Sequence, residues 1–231
     1  MLFGLQLTAA EIEAFRLSLE VSLAATALVA VPGIGLGLLL ARCRFPGKLL
    51  LDAIVHLPLV LTPVVVGVLL LTVFGRGGAF GEGFAFTRGA AILAAATVAL
   101  PLVVRSVRTA AELVDERLVE AAAVLGASPL RRLFTVVIPL ASPGVIAGLT
   151  LGFARSLGEF GATITFAGNI AGETRTLPVA IYTAIQSPDG DGAALRMTAL
   201  SVLVSLVSLG LSELLLRRMR ARALRERGGI R

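Results

Sequence analysis

The sequence predicts an all-α polytopic membrane protein with five transmembrane helices, and three observations carry that prediction. At 56% hydrophobic and 16% charged residues, with a mean hydropathy of +0.91, the chain is far more apolar than a soluble domain, which is about half apolar and about a quarter charged. Several apolar runs reach the roughly 20 residues that cross a bilayer. The basic residues gather in the short segments between those runs, as they do at membrane boundaries. A length of 231 residues alone would allow one or two soluble domains, but composition overrides length, and 1–231 reads as one transmembrane domain.

Thr8-Ala9-Ala10-Glu11 has the Thr-x-x-Glu form of a capping box, so a helix starts there, outside the bilayer. It runs into a first span over about 17–40, where Gly33 and Gly37 make a small-residue packing patch. Charge and turn residues, Arg42-Cys43-Arg44-Phe45-Pro46-Gly47-Lys48, end it. A second span over about 49–74 is interrupted by Pro58 and Pro63, and a glycine-rich loop over 75–88 leads to a third, about 89–107, with Pro101 inside. The stretch 108–137 is too polar to cross, and the loop 112–139 lies largely within it. The fourth span covers about 138–160 and the fifth about 197–216. Between them, 161–196 is rich in Gly and Pro, and its middle, 177–185, forms a helix too short to cross. No Lys or Arg precedes Arg16, so the basic region of a signal peptide is missing and the first helix is expected to persist in the mature chain.

A net charge of +6 and a pI near 11.1 would point to nucleic acid in a soluble protein. Here the charges sit at membrane boundaries without interleaved aromatics, so no nucleic-acid partner is expected. One cysteine, Cys43, excludes an intrachain disulfide, and no Cys/His cluster could hold a metal. Fifteen of the 21 Lys and Arg residues follow spans one, three and five, and that side is read as the cytoplasm. Five crossings then place the N-terminus outside and the C-terminus inside.

The polar stretch 112–139 is punctuated like two short helices joined at a glycine. Asp115 caps the first, whose first turn holds Glu116. Leu118, Ala121, Ala122 and Leu125 fall at i, i+3, i+4 and i+7 in one narrow apolar stripe. Gly126 is a left-handed stop, and Ser128-Pro129 opens a second helix carrying Arg131 and Arg132. An amphipathic helix resting on lipid headgroups shows a similar pattern, but its anchors are bulky. The small run Ala121-Ala122-Ala123 suits a groove in another protein.

Glu120-Ala121-Ala122, Gly126 four residues on, and Val136-Val137-Ile138-Pro139 after nine more resemble the EAA loop of ABC importer permeases. Three further stretches resemble the permease of the molybdate ABC importer: His56 to Gly67, Gly152 to Thr163, and Gly168 to Pro178. Family members commonly read Asn-Ile-Pro-Gly where this chain has Asn169-Ile170-Ala171-Gly172. The resemblance implies a type I ABC importer permease core with cytoplasmic coupling helices. Glu120, Ala121, Ala122, Gly126, Arg131 and Pro139 would then engage an ATP-binding subunit. It further implies a homodimer, two ATP-binding cassette subunits that bind ATP and Mg, and an external molybdate-binding protein. Sulfate, thiosulfate and tungstate permeases are the alternatives within transport, and a membrane scaffold that transports nothing is the alternative outside it. The chain has no Gly-x-x-x-x-Gly-Lys-Ser/Thr loop, so it binds no ATP itself and carries no catalytic residue.

Gly144, Gly148, Gly152 and Ser156 recur every four residues on span four. Such a stripe either packs a helix of the same chain or lies near a two-fold axis, lining a path between copies. Arg155 and Glu159, four apart, share a face within that span. Intramembrane charges pair or face water: the two either satisfy each other, or Arg155 lends positive potential to an anion path while Glu159 holds it. Asp52 and His56 are similarly spaced near the inner end of span two and read as a structural contact.

Overall fold

The structure is a computed structural model that describes residues 7–75, 78 and 83–228, without the side chains of 212 and 215–228. Residues 76, 77 and 79–82 of the glycine-rich loop expected over 75–88, and Arg231 of the orientation count, lie outside the described residues. Among those residues the chain forms ten α-helices and no strand.

Helix α1 (Ala9–Arg42) starts at the expected capping box. Thr8 Oγ1 accepts from the Glu11 amide at 3.4 Å, and Glu11 Oε2 accepts from the Thr8 amide at 2.9 Å. Its 34 residues rise about 1.5 Å each, well beyond the roughly 30 Å hydrocarbon thickness. After left-handed Gly47 (φ +86°) comes α2 (Lys48–Val60), then α3 (Pro63–Phe74), bent from it by 117°. The expected span 49–74 is therefore not one straight helix. Leu61 and Thr62 are extended, as a residue before proline prefers, and Pro63 opens α3 without needing an amide partner.

Helix α4 (Arg88–Glu112) encloses the expected third span, and Thr87 caps it by accepting from the Ala90 amide at 3.2 Å. Then come α5 (Glu116–Val124), α6 (Pro129–Arg132) and a π-helical turn over Leu133–Val137, which runs into α7 (Ile138–Leu157). The widened turn immediately precedes Pro139, which has no amide to donate to the preceding turn. Helix α7 ends three residues short of the expected 160, and a further helix, α8 (Gly161–Phe166), follows. Helix α9 (Leu177–Ile185) matches the short helix expected at 177–185, and α10 (Asp191–Gly228) contains the expected span 197–216. Among the described residues four stretches are long and apolar enough to cross a membrane, and a fifth crossing requires α2 and α3 to make one broken span.

The core forms around α4. Its most apolar stretch is 61% buried, against 28% or less for the other candidate spans. Alanines make this possible: Ala90, Ala91, Ala94, Ala95 and Ala99 are fully buried and let α1, α7 and α8 approach closely. A Cβ on Gly37 would lie 2.8 Å from Val107 Cβ and 2.9 Å from the Val104 carbonyl, so α1 and α4 meet there backbone to side chain.

Polar contacts hold each end of the bundle. At one end Glu11 pairs with Arg196 at 2.6 Å, Arg88 reaches Glu20 at 3.2 Å and the Gly172 carbonyl at 3.1 Å, and the Leu177 amide donates to Ser18 Oγ at 2.6 Å. At the other end Arg42 Nη2 donates to the carbonyls of Ala111 and Val114 at 2.6 and 3.1 Å, closing the C-terminus of α4 with a cation. Helices α1 and α4 therefore run in the same direction, and α10 starts at the Glu11 end.

Candidate functional site

The stretch 112–139 forms an elbow at the Arg42 end of the bundle. Asp115 Oδ1 accepts from the Arg117 amide at 2.9 Å, which caps α5. At its far end Gly126 is left-handed (φ +81°), its amide donates to Ala123 at 2.9 Å, and the Ala127 amide donates to Ala122 at 3.0 Å. Those two bonds are the Schellman arrangement, and they need a positive φ at the glycine. Ser128 Oγ accepts from the Arg131 amide at 3.3 Å and Pro129 opens α6. Both breaks that the sequence marks are thus real turns with the expected chemistry.

Neither α5 nor α6 has a buried residue. Val119 on the inner face rests against the core. The expected stripe faces away from the chain's own bundle: Leu118 is 47% exposed and Leu125 87%, with Val124 beside it at 89%. Of the named elbow residues, Glu120, Ala121, Gly126, Arg131 and Pro139 are exposed and Ala122 is half-buried. Leu130 and Phe134 continue the apolar surface onto the second arm. Contiguous exposed apolar surface rimmed by charge is the mark of an interaction site.

The glycine stripe of α7 is already occupied. A Cβ on Gly144 would overlap that of Ala110, one on Gly148 would come 3.0 Å from Ser106 Cβ, and one on Gly152 would come 3.0 Å from Val103 Cγ2. All three neighbours belong to α4 of the same chain, and Ser106 Oγ donates to the Gly144 carbonyl across this contact at 2.9 Å. Of the two readings the stripe allowed, packing against a helix of the same chain is the one these contacts match. Gly144→Ala should cost about 1–3 kcal/mol of stability through overpacking, and Ala110→Gly in the same chain should restore most of it. Thermal unfolding of both variants checks this, since a stripe facing a second copy would gain nothing from Ala110→Gly.

Arg155 Nη1 lies 2.6 Å from Glu159 Oε2. The other carboxylate oxygen of Glu159 accepts from the Ala162 amide at 2.8 Å and so caps α8. Glu159 has 1% of its side chain exposed, whereas 31% of Arg155 is exposed. Mutual satisfaction is the arrangement found.

A second charge cluster joins α2 to α4. Asp52 pairs with His56 at 3.1 Å, as the four-residue spacing predicts, and with Arg108 at 2.8 Å, while Arg108 also reaches Glu112 at 2.8 Å. The Asp52–Arg108 pair joins residues 56 apart in sequence, so no local spacing announces it. No group of three or more His, Cys, Asp or Glu residues that could hold a metal ion occurs among the described residues.

Residues 33–221 match the family described as binding-protein-dependent transport system inner membrane component. The chain is 52% identical over 225 residues to the molybdenum transport system permease protein ModB of Escherichia coli strain K12, covering 94% of this chain and 98% of that one. It is 49% identical over 217 residues to the ModB of Haemophilus influenzae, covering 90% and 95%. A chain of the MetNI methionine ABC transporter in an inward facing conformation has the same fold, with a TM-score of 0.72 at 19% identity, covering 90% and 95%. The chain belongs to the family of binding-protein-dependent transport system inner membrane components, and it is a transport permease with several membrane helices.

Proposed function

We propose that this chain is the translocation subunit of an ATP-driven importer that carries molybdate across the cytoplasmic membrane. It works as a homodimer joined to two ATP-binding subunits and an external molybdate-binding protein. The observation that carries the reading is the elbow: a doubly capped, rigid projection with its apolar stripe turned outward at the basic end of the bundle. Such a projection suits a groove in a cytoplasmic partner, and the missing phosphate loop leaves ATP and Mg to that partner. The names of the relatives supply molybdenum, and the resemblance of 56–67, 152–163 and 168–178 supplies its oxyanion, molybdate.

Orientation follows from charge. The elbow lies at the Arg42 end, where the basic residues after spans one and three gather, so that end faces the cytoplasm. With α2 and α3 as one broken span, the N-terminus lies outside and the C-terminus inside. Nucleotide binding draws the two motor subunits together, and each elbow passes that displacement through the π-helical turn into α7 as a rigid-body movement. With the glycine stripe filled and Glu159 buried, Arg155 is the member of that set left to meet an anion, and its planar fork suits a tetrahedral oxyanion.

Labelled molybdate uptake into vesicles holding the complete complex tests the reading. Uptake should require ATP and be competed by tungstate, with sulfate a weaker competitor. Equal competition by sulfate would move the assignment to a sulfate permease, and ATP-independent or absent uptake would end it.

A further inference from the structure

Between the end of α1, the turn after it and the inner side of the elbow lies a cavity of about 760 Å³. Arg42, Arg44, Lys48 and Arg132 line it, against two carboxylates, Glu116 and Glu120. None of these six makes an ion pair among the described residues. The Nε atoms of Arg42 and Arg132 are buried and have no hydrogen-bond partner among the described residues. Four cations against two carboxylates leave an unpaired cationic excess that suits an anion with several acceptor oxygens, and an arginine fork matches phosphate geometry. The remaining wall is apolar, formed by Val119, Leu130 and Leu133 among others. A basic end beside an apolar wall fits an amphiphile better than a bare ion.

We infer that this cavity binds a tetrahedral phosphate oxyanion presented as the headgroup of an anionic phospholipid, which ties the elbow to the inner leaflet. The position agrees: Arg42 ends the first membrane helix, and juxtamembrane arginines and lysines attract anionic headgroups. The bound lipid supplies acceptors to Arg132 on the elbow and to Arg42 on α1, bridging the two segments that transmission from elbow to bundle must keep in register. Only the placement of the elbow at the inner membrane surface is taken from the functional reading. Lipid retention is read without transport or ATP hydrolysis, so a failure here is distinct from a failure of the importer assignment.

The test is native mass spectrometry of the complete transporter released from phosphatidylcholine nanodiscs that contain a minor fraction of phosphatidylglycerol. Arg132 lines the cavity and the adjacent Arg131 does not, so Arg131→Gln and Arg132→Gln remove the same charge from neighbouring positions. Arg44→Gln is the second cavity variant, chosen because Arg44 is exposed and makes no bond that holds the fold. Wild type and Arg131→Gln should retain phosphatidylglycerol, while Arg132→Gln and Arg44→Gln should each retain it about five-fold less. Inorganic phosphate at matched ionic strength should displace little. Equal loss in Arg131→Gln and Arg132→Gln would reduce the effect to general surface attraction and overturn the site. Complete displacement by inorganic phosphate or molybdate would overturn the lipid and leave a free oxyanion as the ligand.

Discussion

Replacing Gly126 with valine is expected to lower ATP-driven uptake about ten-fold or more while the permease remains in the membrane. A Cβ at this position meets nothing within 4 Å, so the substitution creates no clash and its whole effect comes through the backbone. A φ of +81° costs an ordinary residue about 1–2 kcal/mol, and a β-branched one more. Relaxing that strain breaks the bonds from Gly126 to Ala123 and from Ala127 to Ala122, and the second arm of the elbow swings away from its place. Asparagine tolerates the left-handed region, so Gly126→Asn should keep most of the uptake. Measuring uptake, ATPase stimulation and membrane content for both variants checks the assignment. Equal uptake by the valine and asparagine variants would sink it.

Glu159→Ala should be the most destabilising single change in the membrane region. It removes the partner of Arg155 and uncaps α8 in one step. Breaking a buried ion pair costs roughly 3–5 kcal/mol. Arg155 is only partly buried, so the lower end, about 3 kcal/mol, is expected. In thermal unfolding of the complex, Glu159→Ala should melt several degrees below wild type, and an unchanged midpoint would show that the pair does not hold α7 to α8. Arg155→Ala separates structure from transport, because it leaves the Glu159 cap of α8 in place. It should lose less stability than Glu159→Ala yet slow molybdate uptake, and uptake at the wild-type rate would take Arg155 out of the path.

Local chemistry was legible in the sequence because it acts over short separations. Thr8 and Glu11, Asp115, Gly126, and Ser128 with Pro129 each announce a helix end through bonds within a few residues, and each end lies where those residues put it. Apolar runs marked the spans for the same reason, and the molybdate permease resemblance read from three stretches agrees with the relatives the chain matches. What could not be read depends on which surfaces meet. Pro58 and Pro63 marked an interruption, but its 117° angle goes with α3 lying on α8, where a Cβ on Gly67 would come 2.9 Å from the Ala162 carbonyl. The four-residue period of Gly144, Gly148 and Gly152 marked a close approach without naming the neighbour, which proved to be α4. Helix α8 was missed because its cap, Glu159, was read only as a partner for Arg155. The contacts Arg42–Ala111, Asp52–Arg108 and Glu11–Arg196 join residues 69, 56 and 185 apart, beyond the reach of any spacing rule.

The claim that the elbow seats in a cytoplasmic ATP-binding subunit is tested most directly by thiol protection. Val124 is 89% exposed, and Cys43→Ser removes the one native thiol. In that background Val124→Cys should react with a membrane-impermeant thiol reagent only from the cytoplasmic side of the permease alone, and should be shielded once the ATP-binding subunit is bound. Equal labelling with and without that subunit, or labelling from the outer side, would contradict the account.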